Sequence, residues 1–174
     1  MRRRRPDNVL PASCVILRVS DLSLEPVLRR ALLAILAMGL LGTGVELLLL
    51  KHTDGAWQLV PVVLTGAATA VTAWCALRPG IAALRALRGL MLLCVAAGVV
   101  GIVQHFRGNV AYARDANPSL DGAALYWEAL MGATPSLAPG AMIQLGLVGL
   151  LFAFRHPAAR ATTRGVTDPG DAIR

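Results

Sequence analysis

Four long apolar stretches dominate the sequence and limit the folds that it can adopt. They cover residues 31–50, 59–77, 86–104 and 135–154, and each is 19 or 20 residues long with at most one charged side chain. A helix needs about 20 apolar residues to cross the hydrocarbon core of a bilayer, because it rises about 1.5 Å per residue. The sequence therefore predicts an all-α fold, a polytopic four-helix bundle embedded in a membrane.

The composition agrees with a membrane protein and excludes several other classes. Of the 174 residues 56% are hydrophobic and 16% are charged, whereas soluble domains average about 45–50% and about 25%. A chain this apolar is neither disordered nor an ordinary soluble domain. Aromatic residues make up only 5%, too few for the aromatic girdles of a membrane β-barrel. A lipid bilayer is therefore the first partner that the sequence predicts.

The distribution of basic residues predicts how the chain is threaded. Fourteen of the 17 lysines and arginines lie in residues 2–30, 78–88 and 155–174, which fall on one side of a four-pass protein. The two loops on the other side hold only three, Lys51, Arg107 and Arg114. Because basic loops stay in the cytoplasm, we expect both termini there, in a bacterial-type plasma membrane. This threading also accounts for the net charge of +7, so we expect no nucleic acid partner.

The ends of the chain are predicted to lie outside the membrane. We expect a basic cytoplasmic arm over residues 1–23, a transmembrane domain over 24–156 and a flexible cytoplasmic tail over 157–174. A serine, a glutamate and a proline at positions 23, 25 and 26 are typical of a helix start. The first helix is therefore expected to begin near residue 24.

The longest predicted loop, residues 105–134, contains one further helical pattern. Within 119–131 apolar residues recur at helical spacing, while Asp121 and Glu128 fall on other faces. We predict a short amphipathic helix there, lying at the outer face of the membrane. Tyr126 and Trp127 would anchor it, since aromatic residues favour that interface.

Small and polar residues predict which faces of the spans pack together. Glycines at helical spacing form such seams in the first and third spans, at Gly39, Gly42, Gly98 and Gly101. Glu46 shares the face of the first seam, so we expect it to point into the bundle. A threonine stripe in the second span is expected to bond to carbonyls of its own helix.

A polar layer near the outer ends of the spans is the candidate site. Its members come from four separate segments and are Glu46, His52, Gln58, Gln104, His105, Asn109 and Gln144. Polar side chains inside a membrane mark binding sites or proton paths. Each also has a structural explanation: Glu46 can pair with Lys51 or Arg107, His52 can lie in a loop, and the glutamines can join helices through hydrogen bonds.

Three functional hypotheses follow from this layer. The sequence contains no phosphate-binding loop and no hydrolase or metalloprotease motif. The favoured hypothesis is therefore a non-enzymatic structural or accessory membrane protein, with a second copy or another membrane protein as partner and with no cofactor. One alternative is a small proton-linked transporter or binder that uses Glu46. The other is a metal or haem redox module that uses His52 and His105, with Glu46 as a third weak metal ligand.

Overall fold

The computed structural model describes residues 12–132 and 134–158, and all regular structure in that part of the chain is helical. Five helices follow one another: α1 (Ala12–Leu49), α2 (Ala56–Leu77), α3 (Ile81–Ala116), α4 (Gly122–Leu130) and α5 (Gly140–Ala153). The all-α prediction is confirmed. Three of the helices, α1, α2 and α3, are long and apolar enough to cross a membrane, whereas α5 is apolar but shorter.

The four longer helices form a closed bundle. Residues 50–55 join α1 to α2 and residues 78–80 join α2 to α3, and such short links favour antiparallel neighbours. Helix α1 contacts α2, α2 contacts α3, α3 contacts α5, and α5 contacts α1 again. Helix α4 packs against α3. Fully buried side chains fill the centre, among them Leu36, Leu40, Leu87, Met91 and Cys94.

Two predicted spans end at different residues in the structure. The third was expected to stop at residue 104, but α3 continues to Ala116. Residues 105–116, here called the α3 extension, stay helical because Asn109 and Ala113 are buried at the contact with α4. The fourth was expected to begin at residue 135, but α5 begins at Gly140. Pro139 is the N-cap of α5, where its missing N–H removes no hydrogen bond of the helix.

The first helix also differs from its prediction. It begins at Ala12, upstream of the expected start near residue 24. Residues 12–25 contain no glycine or proline that would stop a helix. The rest of the predicted arm, residues 1–11, and most of the predicted tail, residues 159–174, lie outside the described residues.

The short helix expected within 119–131 is present as α4, so this prediction is confirmed. The Asp121 side chain caps its first turn by accepting a hydrogen bond of 2.7 Å from the Gly122 N–H. Leu125 and Ala129 are buried, and the Tyr126 ring stacks on Phe106 of the α3 extension, with 6.1 Å between ring centroids. Much of the Tyr126 ring nevertheless remains exposed, as does Trp127.

The predicted threonine stripe and the glycine seam of the third span are present, whereas in the first span Gly39 packs against Leu145 but Gly42 is exposed and meets no neighbour. Thr65 and Thr72 of α2 are buried, and their hydroxyls donate to carbonyls four residues earlier at 2.8 and 2.7 Å. Gly98 and Gly101 of α3 lie directly against Pro139, so the seam brings α3 and α5 into close contact.

Large apolar side chains cover the outside of the bundle. Only 11% of the apolar window in α1, and 22% of those in α2 and α3, is buried inside the protein. Met38, Val63, Leu92 and Leu147 are each more than half exposed. Exposed apolar area is unfavourable in water by about 25 cal/mol per Å². These helices therefore indicate contact with a lipid bilayer, and the chain is a helical membrane protein.

Candidate functional site

The two ends of the bundle carry different polar groups. At one end, the α4 end, the chain leaves α1 and α3 and enters α5. At the other, the arginine end, the chain turns from α2 to α3 and leaves α5. Most of the candidate residues predicted from the sequence lie at the α4 end.

The chain enters α5 through a segment that is not helical. Residues 134–139, here called the lead-in segment, form bends and turns before Gly140. A Cβ atom added at Gly98 would stand 2.8 Å from the Pro139 carbonyl oxygen, and one added at Gly101 would stand 2.7 Å from the Pro139 Cβ. Pro139, at the end of the lead-in segment, therefore lies beside Gly98 and Gly101. These glycines are three to six residues before residue 104, where the third span was predicted to end.

Asn109 of the α3 extension holds this segment in place. Its amide Nδ2 donates to the carbonyl oxygens of Ala129 at 2.9 Å and Thr134 at 2.6 Å. It also lies 3.0 Å from the Ser136 hydroxyl. Its Oδ1 accepts from the Thr134 N–H at 3.3 Å. A single buried side chain thus joins α3, the end of α4 and the lead-in segment.

Two further side chains complete this cluster. Ser136 is buried, and its hydroxyl donates to the Ala129 carbonyl oxygen at 3.2 Å. His105 Nδ1 lies 3.1 Å from the Pro135 carbonyl oxygen, which the Nδ1–H tautomer satisfies as a donor. We call Asn109, Ser136 and His105 the lead-in clamp. Backbone carbonyls outside a helix need such donors wherever water is excluded.

The other predicted site residues do not join this clamp. Gln58 Oε1 accepts from the Asp54 N–H at 3.1 Å, next to the start of α2. His52 is half-buried in the turn after α1. Glu46, Gln104 and Gln144 are exposed, so Glu46 does not point into the bundle as its helical face suggested. Gly42, one turn earlier on the same face, is also exposed and has no neighbour within 4 Å of an added Cβ, so this face of α1 does not pack against the bundle.

The seven predicted residues therefore divide into separate groups. Within residues 24–132 and 134–158, no hydrogen bond links two of them. In the same part of the chain, no three His, Cys, Asp or Glu side chains come close enough to hold a metal ion. Glu46, His52 and His105, the predicted ligands, thus do not form a metal site in the described structure.

Two arginines bind the carboxyl end of α5 at the opposite end of the bundle. Arg29 of α1 donates from Nη1 to the Phe152 carbonyl oxygen at 2.7 Å, and Arg88 of α3 donates to that of Ala153 at 2.6 Å. Glu25 orients Arg29 through an ion pair of 2.8 Å. The last carbonyls of a helix lack partners within it and carry partial negative charge. This arginine collar satisfies them from two neighbouring helices.

An open cavity of about 460 Å³ lies beside the collar. It is bounded by α1, the end of α2 and the residues after α5, and Arg30, Leu33, Cys75, Phe152 and His156 are among its lining residues. The His156 ring packs against Phe152, with 5.2 Å between centroids. Burial lowers the pKa of His156 below its ordinary value, and the nearby Arg29 charge lowers it further.

The chain matches no protein-family model, no curated protein and no solved structure. Its candidate sites therefore rest on its own geometry.

The arginine collar was not predicted from the sequence, because all the arginines of this end were assigned to membrane threading. One signal was available. The last turn of α5 contains no basic residue, so its carbonyls need donors from elsewhere. Arg88 was visible near the start of an otherwise apolar span, where an unpaired charge is costly.

Removing a collar arginine is expected to loosen the end of α5. Arg88→Gln should lower the free energy of unfolding by about 1.5 kcal/mol, because a charged donor to a partly buried carbonyl is lost. Reversible unfolding in mixed detergent micelles, followed by circular dichroism, measures the change. Arg85→Gln is the matched control, since Arg85 is exposed on the same turn of α3; equal losses in the two variants would contradict the collar.

Proposed function

We propose that this chain is a four-pass integral membrane protein that serves as a non-enzymatic structural or accessory component of its membrane. The apolar exterior of all four long helices is the observation that carries the proposal. Large side chains exposed on α1, α2, α3 and α5, such as Leu41, Val63, Val99 and Leu151, find an apolar solvent only in lipid.

The fourth pass combines α5 with its lead-in segment. Alone, the 14 residues of α5 span about 21 Å, less than the roughly 30 Å of a hydrocarbon core. Residues 134–139 supply the missing length as irregular backbone. Such backbone is tolerated at membrane depth only where protein covers it and satisfies its polar groups. In this segment the lead-in clamp bonds to the Thr134 and Pro135 carbonyls, Ser136 is buried and Pro139 lies against α3. These contacts satisfy part of the irregular backbone and support its place in the fourth pass.

Charge supports one orientation of the bundle. Within residues 24–132 and 134–158, six arginines lie at the arginine end: Arg29, Arg30, Arg78, Arg85, Arg88 and Arg155. The α4 end has few basic residues. It carries several acidic ones, among them Asp54, Asp115, Asp121 and Glu128. Because basic segments are retained on the cytoplasmic side, the arginine end faces the cytoplasm and α4 lies on the opposite surface.

A structural role is supported by how the buried polar groups are used. In the described part of the chain four polar residues are buried, Thr65, Thr72, Asn109 and Ser136, and each bonds to this chain's own backbone. No buried side-chain nitrogen or oxygen in that part lacks a partner. His105, a predicted redox ligand, instead contacts the lead-in segment. The polar groups thus stabilise the fold itself.

Single-cysteine labelling in intact cells tests the threading. In a background with Cys14, Cys75 and Cys94 replaced by alanine, we introduce Arg85→Cys, Ser119→Cys or Pro157→Cys. A membrane-impermeant maleimide should label position 119 in intact cells and positions 85 and 157 only after permeabilisation. Labelling of position 157 from outside would contradict the fourth pass.

Absorption spectroscopy and metal analysis of the purified protein test the non-enzymatic role. Protein purified in mild detergent is expected to show no Soret absorption and no stoichiometric metal. A haem spectrum or one bound metal ion per chain would overturn the structural assignment in favour of a redox module.

A further inference from the structure

The cavity at the arginine end combines apolar walls with a basic rim. Leu33, Cys75 and Phe152 line its apolar part, while Arg29 and Arg30 of α1 supply its basic side chains. Its volume of about 460 Å³ falls within the range of about 300–1,000 Å³ that is typical of ligand sites. The cavity is therefore amphipathic and large enough for part of a lipid molecule.

The charges around this cavity do not cancel. Arg29 is already engaged, since Glu25 and the end of α5 accept its hydrogen bonds. Arg30 is exposed and, within residues 24–132 and 134–158, makes no hydrogen bond or ion pair. Among residues 24–132 and 134–158, Glu25 is the one acidic residue that lines the cavity, and Arg29 neutralises it. A positive charge on Arg30 is therefore available to a ligand.

We propose that this cavity binds an anionic phospholipid, with the headgroup phosphate at Arg30 and an acyl chain against Leu33 and Phe152. The inference rests on the proposed membrane threading, which places the cavity at the cytoplasmic boundary of the bilayer. Basic pockets between spans on that side suit anionic headgroups. The apolar walls favour a lipid over a free phosphate ion, because a free ion leaves them unfilled.

Native mass spectrometry of the detergent-solubilised full chain tests the proposal. Short-chain phosphatidylglycerol, phosphatidylcholine with the same acyl chains, and inorganic phosphate alone are the three probes. We expect phosphatidylglycerol to bind at least fivefold more tightly than phosphatidylcholine, and inorganic phosphate not to bind. Tight binding of inorganic phosphate would overturn the lipid and indicate a soluble anion.

Three variants locate the binding. Arg30→Gln is expected to weaken phosphatidylglycerol binding about fivefold, the effect of one basic residue near an anionic headgroup. Arg85→Gln removes the same charge from an exposed position outside the cavity and should leave binding unchanged. Ala76→Trp should abolish binding without a change in charge, because Ala76 lines the cavity and the indole ring of tryptophan would fill it.

The outcomes separate this proposal from the proposed function. Equal loss in Arg30→Gln and Arg85→Gln would overturn the cavity and indicate a general charge effect. Unchanged binding in Ala76→Trp would overturn it too. If cysteine labelling confirms the threading while phosphatidylglycerol and phosphatidylcholine bind equally, only the lipid site fails. If labelling contradicts the threading, the proposed function fails first.

Discussion

Alanine at Gly98 or Gly146 is expected to lower the free energy of unfolding by about 3 kcal/mol, at the upper end of the range for overpacking. A Cβ at Gly146 would stand 2.7 Å from the Met91 carbonyl oxygen, and one at Gly98 would stand 2.8 Å from that of Pro139. Both neighbours are backbone atoms, which cannot rotate away. The added methyl group must therefore push α3 and α5 apart.

Two other glycines provide matched controls for this prediction. Gly66 of α2 and Gly89 of α3 are exposed, and a Cβ at either would meet no atom within 4 Å. Alanine there should be neutral or stabilising by up to about 1 kcal/mol, because alanine favours the helix over glycine. The same Gly→Ala substitution is thus expected to lower the free energy of unfolding at the packed positions and to leave it unchanged or raise it at the open ones.

Unfolding by sodium dodecyl sulfate in mixed micelles, followed by circular dichroism, measures the four variants. A loss at Gly66 or Gly89 equal to that at Gly98 or Gly146 would show that α3 and α5 do not pack as described. The result also bears on α5 as a membrane pass, since this short helix depends on α3 for most of its contacts.

Length and hydropathy were sufficient to predict the helical framework. Residues 31–49, 59–77 and 86–104 all lie within helices, because a long apolar run has no other way to satisfy its backbone in lipid. The glycine seam of α3 was also predictable, since Gly98 and Gly101 recur on one face. The partner of that seam, Pro139, was not, because helical spacing shows a face but not what packs against it.

Helix ends were harder to predict than helix positions. The α3 extension is rich in polar and charged residues, so composition alone favours a loop. It is helical because α4 covers Asn109 and Ala113, a tertiary contact that no local pattern reveals. The same difficulty applies to the arginine collar, whose donors and acceptors are more than 60 residues apart in sequence.

The candidate polar layer was predicted from the depth of each residue in the membrane and not from the direction in which its side chain points. Depth placed Glu46 and Gln144 near Asn109, but the direction of each side chain depends on the rotation of its helix, which a neighbour sets. Only His105 and Asn109 of the seven contact the lead-in segment. Whether the other five take part in binding stays a prediction.

Asn109→Ala is expected to release the lead-in segment and lower the free energy of unfolding by about 3 kcal/mol. The substitution removes the four hydrogen bonds of the buried Asn109 amide, and each contributes about 0.5–1.5 kcal/mol. The Ala129 carbonyl keeps one donor, the Ser136 hydroxyl. The loss should therefore be local to the α4 end, with the arginine collar intact.

Hydrogen exchange resolves such a local change, because it reports opening segment by segment. Amides of 122–139 should lose protection in Asn109→Ala, whereas those of 83–95, in the half of α3 nearer the collar, should keep it. Asn117→Ala is the matched control, since that asparagine is exposed and bonds only to Ser119 in the described chain. Uniform loss of protection along α3 would show that Asn109 supports the whole bundle, and unchanged protection in 122–139 would show that the lead-in segment is held by other contacts.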